Sequence, residues 1–530
     1  MPLLAPGSPG TSPVRLRLPV RRSSTILLVF TILSFFMLVY ASRRITNWSM
    51  MDGPNAPYRS EYSPMGVCPD GENCSHATQP NSVKQSETAS SISSTSFTES
   101  TPPPAPPQPQ DPLCEGFPNT SSVLLVMKTG ASEAFARVPT QLMTNLRCLD
   151  DFLIFSDMEQ DIAGFHIYDS LDKVLPEARS GNPDFDIYRR QQWCFIDQDS
   201  CNKLGDPAKE GWSLDKYKNI HIAEKTWAMR PNYDWYLFVD ADTYVVWSNL
   251  MQWLSTMDPN KKLYLGSVAL IGNFPFGHGG SGYIVSRAAM EEFVGKHPGV
   301  GNEFDVRARK ECCGDYLFAV AMENKTGIKV QHMWPTINGE KPFTLPYGPS
   351  HWCHPIVTMH HLNSDEINSF FNFERKFLES HPPGTTILMR DIYEHFLAPN
   401  LLRIRADWDN LADNRFYLDL TRPGGRSYWD DWMVKRMKKD EELNEMEKNA
   451  HLSFEACENA CRSVSEHECF TFRYQNGMCA FGNAFKIGKP VKRDDTKGSM
   501  MSGWLTERIS EWIQKQGECK VKWPTPEYKD

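Results

Sequence analysis

Two acidic residues close an apolar segment near the middle of the chain. Asp240 and Asp242 directly follow residues 235–239 (WYLFV), and a further apolar stretch comes after them. Carboxylates at this spacing suit a hard divalent cation, which can neutralise charge on a departing phosphate group. The other Asp-x-Asp pairs, which begin at residues 184, 197 and 407, do not lie between two apolar segments. A pair of turn or cap residues is the structural alternative.

Three more segments hold residues that can take part in chemistry. Residues 277–286 (GHGGSGYIVS) are rich in glycine, which lets the backbone approach a ligand closely, although a tight turn into a strand has the same pattern. Asp315 precedes a helical stretch, where an aspartate suits the helix cap. His360 and His361 follow an apolar run and on their own have the character of surface residues, although imidazole is also a good metal ligand.

Apolar runs and helical stretches alternate in the part of the chain that contains these residues. Four runs have the character of buried strands: 122–128, 152–156, 163–168 and 235–239. Residues 133–147 and 214–229 have helical spacing, and the alternation predicts an α/β domain with a largely parallel sheet. Ligands of such sheets bind at the carboxyl ends of strands, where Thr129, Asp157 and Asp240 stand.

The composition argues against one class of partner and favours a lumenal setting. The 530 residues carry 56 basic and 65 acidic side chains, a net charge of −9, which argues against a nucleic-acid partner. Fourteen cysteines are many for a cytosolic protein, whereas disulfides persist in the secretory pathway. Four N-x-S/T sequons agree with that setting: Asn47, Asn73, Asn119 and Asn324.

The N-terminal region has the organisation of a type II membrane protein. Residues 1–22 are predicted to be a cytoplasmic tail, and the apolar, uncharged residues 23–42 a transmembrane signal anchor. Arginines are more numerous before the anchor than after it, which keeps the tail in the cytoplasm. A cleaved signal peptide is disfavoured because arginines, not small residues, follow the run. Residues 43–112, rich in Ser, Thr and Pro, are predicted to be a disordered stalk.

The rest of the chain divides at a charged segment. Residues 113–430 are predicted to form the main α/β domain, residues 431–449 a charged linker helix, residues 450–505 a cysteine-rich domain and residues 506–530 a tail. The four cysteines of 450–505 predict a helix stapled to a small sheet by two disulfides, and their spacing alone permits three pairings. A zinc site is the weaker alternative.

The other cysteines of the lumenal part are even in number, which permits full pairing. Cys194 and Cys201 can close a short loop. Cys312 and Cys313 are adjacent and are expected to pair with different partners, which would pin the loop that carries Asp315.

The segments together resemble glycosyltransferase family 31, in its Fringe and core 1 β1,3-galactosyltransferase branch. The resembling motifs are FVDADTYVV, GHGGSGYIVSRAAM, a later Gly-Asp segment, a His after an apolar run, and an opening stretch that begins LLVMKTG. The resemblance covers residues 120–400. It implies a glycosyltransferase A type fold, a UDP-sugar donor, Mn²⁺ and inversion at the anomeric carbon. It also implies a Golgi membrane protein whose catalytic domain is lumenal and whose acceptor is a glycan or glycoprotein.

The resemblance implies a metal site and a general base. Asp242 would bind the metal together with His360 or His361, and Asp240 would touch the metal, its water shell or the ribose. Asp315 would be the base that removes a proton from the acceptor hydroxyl. The sequence departs from the family pattern directly before this residue, where glycine stands in place of the acid that many relatives have.

The same resemblance implies residues for the donor. Lys128, Thr129 and Asp157 would line the uridine pocket, while Gly280 and Gly282 would shape the cleft for the sugar and the acceptor. Residues 450–505 resemble a PAN/Apple module, which implies the disulfides Cys457–Cys479 and Cys461–Cys469. Its role would be acceptor recognition or a structural cap.

The predicted function is therefore inverting transfer of a hexose from a UDP-sugar, with galactose as the first donor candidate, N-acetylglucosamine as the second, and a β1,3 linkage. The rival hypothesis is a non-catalytic stalked lectin or adhesion protein built on a degenerate transferase domain. A glycosidase is not supported, because no pair of carboxylates with the required arrangement stands out.

Overall fold

The computed structural model describes residues 111–194 and 196–528. The predicted cytoplasmic tail and anchor, and the stalk as far as residue 110, lie outside the described residues. Within the described part of the chain, no helix is both long and apolar enough to cross a membrane.

A mixed sheet of eight strands is the centre of the main domain and confirms the predicted α/β class. Residues 123–127, in a central strand, are at most 3% exposed, as the apolar run predicts. Across the sheet the strands are Gln331–His332, Tyr264–Gly266, Tyr283–Ser286, Trp235–Asp240, Val123–Lys128, Phe152–Ser156, Phe165–Asp169 and Gln160–Ile162.

The central strands are parallel and end at the same edge. Val123–Lys128 pairs in parallel with both Phe152–Ser156 and Trp235–Asp240. Tyr283–Ser286 runs antiparallel to Trp235–Asp240. The glycine-rich loop before Tyr283–Ser286 therefore reaches the edge where the parallel strands end.

Two apolar cores lie on opposite faces of this sheet. Leu124 and Val126 belong to one core, and Val123, Leu125 and Met127 to the other, since side chains alternate along a strand. The longer helices are Ala131–Met143, Asp186–Trp193, Pro207–Asp215, Lys218–Met229, Trp247–Leu254, Val300–Ala308, Gly314–Thr326 and Ser364–Ser380. Short helices are Pro176–Arg179, Gln198–Asn202, Arg287–Met290 and Met389–Ile392.

The helix predicted over 214–229 is divided in two. Pro207–Asp215 ends before Lys218–Met229 begins, and Asp206 caps the first helix by accepting a hydrogen bond from the backbone of Lys209. The break turns the side chains at the junction towards the end of the central strand, where both helices contribute to the site described below.

A second sheet, of five antiparallel strands, lies in the C-terminal part. Its strands are, in order, Ile404–Ala406, Met501–Trp504, Thr471–Gln475, Met478–Gly482 and Arg415–Leu418. The helix Phe454–Ser463 packs against it. Because strands come from both sides of residue 430, the boundary predicted there divides one packed unit. Two-stranded ladders join Tyr244–Val245 to Thr358–Met359, Val268–Ile271 to Phe274–Gly277, and Trp408–Asp409 to Lys489–Pro490.

The segment 431–449 differs from the single solvated helix predicted for it. It forms three short turns of helix, Asp431–Val434, Asp440–Glu442 and Glu445–Lys448. Glu447 is only 2% exposed and accepts a hydrogen bond of 2.6 Å from the hydroxyl of Tyr417, a residue of the second sheet. This buried contact ties the segment to the sheet.

The predicted tail, 506–530, is also part of the packed structure as far as it is described. It contains the helix Thr506–Gln516, and beyond it the ring of Trp523 stacks on that of Trp253. The disulfide Cys353–Cys519 joins the same region to the main domain.

Six disulfides join the described cysteines. Cys457–Cys479 and Cys461–Cys469 are the pairings that the PAN/Apple resemblance implies, and Cys194–Cys201 closes the predicted short loop. The expectation for Cys312 and Cys313 is wrong, because they are bonded to each other. All other described cysteines already have partners, the remaining pair being Cys114–Cys148, so these two have only one another.

Candidate active site

Most of the residues predicted for chemistry meet in one cleft of 450 Å³, where the parallel strands end. The predicted residues that line it are Lys128, Thr129, Asp240, Asp242, Gly280, Asp315, His360 and His361. Asp157 and Gly282 are not in its lining. The strand topology explains the meeting, because it brings the ends of distant segments to one edge of the sheet.

One carboxylate and two imidazoles form a candidate metal site. One ligand atom each from Asp242, His360 and His361 lie within 4.8 Å of one another, and Nδ1 of His360 is 3.2 Å from Oδ1 of Asp242. The pairing of Thr358–Met359 with Tyr244–Val245 carries the histidines to the acid. Carboxylate oxygen and imidazole nitrogen are suitable ligands for Mn²⁺ and similar ions, so these residues fit a divalent cation.

The surroundings keep Asp242 ionised. Burial raises the pKa of Asp242, but the hydrogen bond with His360 and the charge of Arg137 outweigh it and lower this pKa to about 2. Nη1 of Arg137 lies 2.9 Å from Oδ2 of Asp242. An ionised carboxylate is the form that a metal requires.

Lys128 joins two acids at the floor of the cleft. Its Nζ lies 2.5 Å from Oδ2 of Asp215 and 3.3 Å from Oδ1 of Asp240. Burial lowers the pKa of Lys128, but the charges of these two carboxylates outweigh it and hold this pKa above its ordinary value. Lys128 is therefore positively charged. Asp240 is ion-paired with Lys128 and is not one of the three residues of the candidate metal site.

Asp157 lies behind the cleft. It is 1% exposed, its Oδ1 accepts a hydrogen bond of 2.8 Å from the backbone of Ala131, and the same atom lies 3.2 Å from Nζ of Lys218. The Nζ of Lys218 also donates to the carbonyl of Thr129 at 3.0 Å. In this structure Asp157 thus supports the strand end and the start of the following helix.

Asp315 is held by backbone groups at the start of a helix. It lies in the first turn of Gly314–Thr326, and the residue that caps this helix is Cys313. Its Oδ2 accepts from the N–H of Gly279 at 2.7 Å and its Oδ1 from the N–H of Tyr316 at 2.8 Å. Burial raises the pKa of Asp315 above its ordinary value despite these hydrogen bonds.

The glycine that replaces the family's acid at position 314 has a structural reason. A β-carbon on Gly314 would lie 2.5 Å from Oδ1 of Asn219 and 3.0 Å from the carbonyl oxygen of Asp215. No side chain fits there, so the carboxylate of Asp315 is the one that this loop offers to the cleft.

Gly282 packs against the sheet behind the cleft wall. Its φ is +80°, a conformation that favours glycine, and a β-carbon would lie 3.2 Å from Cγ1 of Val239. Gly282 therefore forms the turn that connects the glycine loop to the strand Tyr283–Ser286.

Several titratable residues of the site were not predicted from the sequence: Arg137, Asp215, Lys218 and His278. One signal was visible, because Lys218 sits among the apolar residues of the predicted 214–229 helix, where a buried charge requires a partner. Arg137 and Asp215 depend on contacts between distant segments, whereas His278 lies within the glycine-rich segment 277–286. Nδ1 of His278 lies 2.8 Å from the hydroxyl of Ser281, and burial lowers the pKa of this histidine.

One comparison with known proteins bears on this site. Residues 208–335 match the family model described as Fringe-like, a segment that contains Asp240, Asp242, Gly280 and Asp315. Among curated proteins no sequence matches.

Among solved structures, the chain is similar to the crystal structure of a glycosyltransferase involved in the glycosylation of the major capsid of PBCV-1. The identity is 14% and the TM-score 0.24, over 47% of this chain and 98% of that one. The Fringe-like match confirms the resemblance for its own segment and supports glycosyl transfer as the general role. Residues 208–335 therefore carry a Fringe-like domain, which lies within the segment that resembles glycosyltransferase family 31.

Proposed function

We propose that the protein is a metal-dependent, inverting glycosyltransferase that transfers a hexose from a UDP-sugar to a glycan or glycoprotein. Galactose is the first donor candidate, and the linkage is β1,3. One observation carries the proposal: the metal-ligand cluster of Asp242, His360 and His361 shares a cleft with the carboxylate of Asp315, at an edge formed largely by a Fringe-like segment.

The charges in the cleft suit a nucleoside diphosphate. Lys128 stays protonated, and Arg137 reaches the carboxylate of Asp242 from the helix that follows the central strand. Ammonium and guanidinium groups both bind phosphate oxygens. A divalent cation held by Asp242, His360 and His361 would neutralise the charge of the leaving diphosphate.

Asp315 is suited to the role of general base. An inverting transfer needs one group that accepts the proton of the acceptor hydroxyl, and a raised pKa makes a carboxylate a better proton acceptor. The two backbone N–H groups that bind its oxygens fix its orientation, and the nearby positive charge of Lys128 favours its ionised form.

The cellular setting is part of the same proposal. Residues 23–42 anchor the chain in the Golgi membrane, and the catalytic domain lies in the lumen. The sequon residues Asn119 and Asn324 are both exposed, and so accessible for glycosylation, and the six disulfides suit an oxidising compartment.

The test is release of UDP by the full-length protein in detergent, supplied with a panel of UDP-sugars and either Mn²⁺ or EDTA. We expect one donor to be hydrolysed slowly without acceptor, and EDTA and Asp242→Asn each to abolish the release. Asp199→Asn is the matched control, because Asp199 belongs to another Asp-x-Asp pair and is exposed at the surface. If no donor is hydrolysed or bound with Mn²⁺ present, the catalytic proposal is wrong and the stalked lectin becomes the better hypothesis.

A further inference from the structure

A disulfide between adjacent residues lies in the wall of the cleft. Cys312 and Cys313 are bonded to each other, and both line the cleft. A disulfide stabilises a protein chiefly by closing a loop of chain in the unfolded state, and a bond between neighbours closes almost none. Its position, directly before Gly314 and Asp315, indicates a role at the surface of the cleft.

One face of the helix Pro207–Asp215 forms the adjoining wall. Pro207, Ala208, Gly211 and Trp212 all line the cleft, and their positions recur with the period of one helix face. Trp212 is 64% exposed, although it is large and apolar. The wall therefore presents an indole ring to the space in front of it.

The helix and the disulfide belong to one continuous wall. The carbonyl oxygen of Asp215, at the end of this helix, would lie 3.0 Å from a β-carbon on Gly314. The helix thus ends against the residue that follows the disulfide. Trp212 lies one helical turn before Asp215, and Cys313 directly precedes Gly314.

The chemistry of this wall differs from that of the floor of the cleft and of the helix Ala131–Met143. Lys128 and Arg137 supply positive charge for a diphosphate, whereas Trp212 and the disulfide offer π-electrons and polarisable sulfur. A pyranose ring has one face made mainly of C–H groups, which packs favourably on the negative face of an aromatic ring and against soft sulfur. The apolar wall suits a sugar ring better than it suits a phosphate.

The position of Asp315 indicates whether the wall binds the donor sugar or the acceptor sugar. A general base must lie within hydrogen-bond reach of the hydroxyl that it deprotonates, so the acceptor must be seated beside Asp315, which follows Cys313 by two residues. We propose that Trp212 and the Cys312–Cys313 disulfide form an acceptor platform that binds the apolar face of a pyranose. This inference rests on the proposed function and adds to it the acceptor class and the residues that bind it.

The platform gives the transfer step a defined geometry. The acceptor oxygen forms a bond to the anomeric carbon of the donor while the bond from that carbon to the UDP oxygen breaks. The proton of the hydroxyl passes to Asp315, and UDP leaves with the electron pair.

The test uses the full-length protein and a panel of para-nitrophenyl glycosides: β-galactoside, β-glucoside, α-fucoside and α-N-acetylgalactosaminide. Binding is measured by saturation-transfer NMR, which does not require turnover. We expect at least one glycoside to receive saturation on its ring protons, Trp212→Ala to weaken its binding about tenfold, and Trp212→Phe to restore most of the binding. Trp193→Ala is the matched control, because Trp193 is 80% exposed and lies outside the cleft lining.

The disulfide is tested in the same assay. The double variant Cys312→Ser, Cys313→Ser should weaken glycoside binding several-fold, while the double variant Cys194→Ser, Cys201→Ser, which removes another short-range disulfide outside the cleft lining, should not. In transfer assays, Trp212→Ala should raise the KM for the acceptor much more than the KM for the donor.

Two results would overturn the platform: no glycoside receives saturation, or Trp212→Ala binds as the wild type does. A rise in donor KM alone would also overturn it, because Trp212 would then stack on the nucleobase. Failure of the proposed function gives a different result from failure of the platform. It appears as absence of UDP release from every donor, whereas the NMR experiment measures glycoside binding without turnover.

Discussion

A β-carbon on Gly280 would lie 2.1 Å from Nε2 of His360, closer than any non-bonded contact allows. The glycine loop and the histidine come from segments eighty residues apart in sequence, and they meet because both flank the end of the strand Trp235–Asp240. The glycine at this position therefore leaves room for an imidazole that forms part of the candidate metal site.

We predict that Gly280→Ala displaces His360 and weakens binding of Mn²⁺ at least tenfold, with loss of most of the transfer activity. Titration of free Mn²⁺ by electron paramagnetic resonance measures the affinity directly, and circular dichroism checks that the variant is folded. A folded variant with the affinity of the wild type would show that His360 is not a ligand.

Asp315→Asn should lower kcat by about 10² to 10⁴, the usual contribution of a placed general base. The substitution keeps the shape of the side chain, so the affinity for UDP and Mn²⁺ should change little. Steady-state kinetics with saturating donor, together with calorimetric titration of UDP, separate the two effects. Loss of UDP affinity in place of kcat would assign Asp315 to donor binding.

The pH dependence of transfer should show the raised pKa of Asp315. Only the ionised carboxylate accepts a proton, so activity rises as pH rises through this pKa, and burial places the midpoint above the 3.8 of an ordinary aspartate. The measurement is kcat between about pH 4 and pH 8. A kcat that stays constant down to about pH 4 would contradict the assignment.

Much of this site could be predicted from the sequence, because its parts are local patterns. The acidic pair after WYLFV, the glycine loop and the aspartate at 315 each stand in a short segment, and parallel strands bring such segments to one edge. The contact of Lys128 with Asp215 could not be predicted, since the break after Asp215 that turns this acid inward depends on tertiary packing. The bond between Cys312 and Cys313 was missed because pairing depends on where all the other cysteines lie.

Lys218→Met should destabilise the fold by about 3–5 kcal/mol, because it leaves the buried carboxylate of Asp157 without its cation. Both side chains are 2% exposed. Burial lowers the pKa of Lys218, but the charges of Asp157 and Asp215 outweigh this effect and raise that pKa. Urea unfolding of the two proteins gives the difference in the free energy of unfolding. Lys203→Met is the control, since its ion pair with Asp199 is exposed and contributes about 0–1 kcal/mol.

Glu374 should make the fold less stable as pH rises. Burial raises the pKa of Glu374 from 4.5 to about 7 even though the hydroxyl of Tyr244 donates to it at 2.6 Å. The folded state therefore binds this proton more tightly than the unfolded state does, and stability falls between about pH 4.5 and pH 7 by about 3 kcal/mol. Glu374→Gln should remove this part of the pH dependence in urea unfolding, and an unchanged slope would contradict the burial argument.

The most direct measurement is anomalous diffraction near the manganese absorption edge, on crystals of the protein grown with Mn²⁺ and UDP. We expect one strong peak within coordination distance of Asp242 and His360, with the diphosphate beside it, and loss of this peak in Asp242→Asn. A bound UDP with no peak in the cleft, or a peak held by other residues, would contradict the central claim that these side chains form the metal site of a glycosyltransferase.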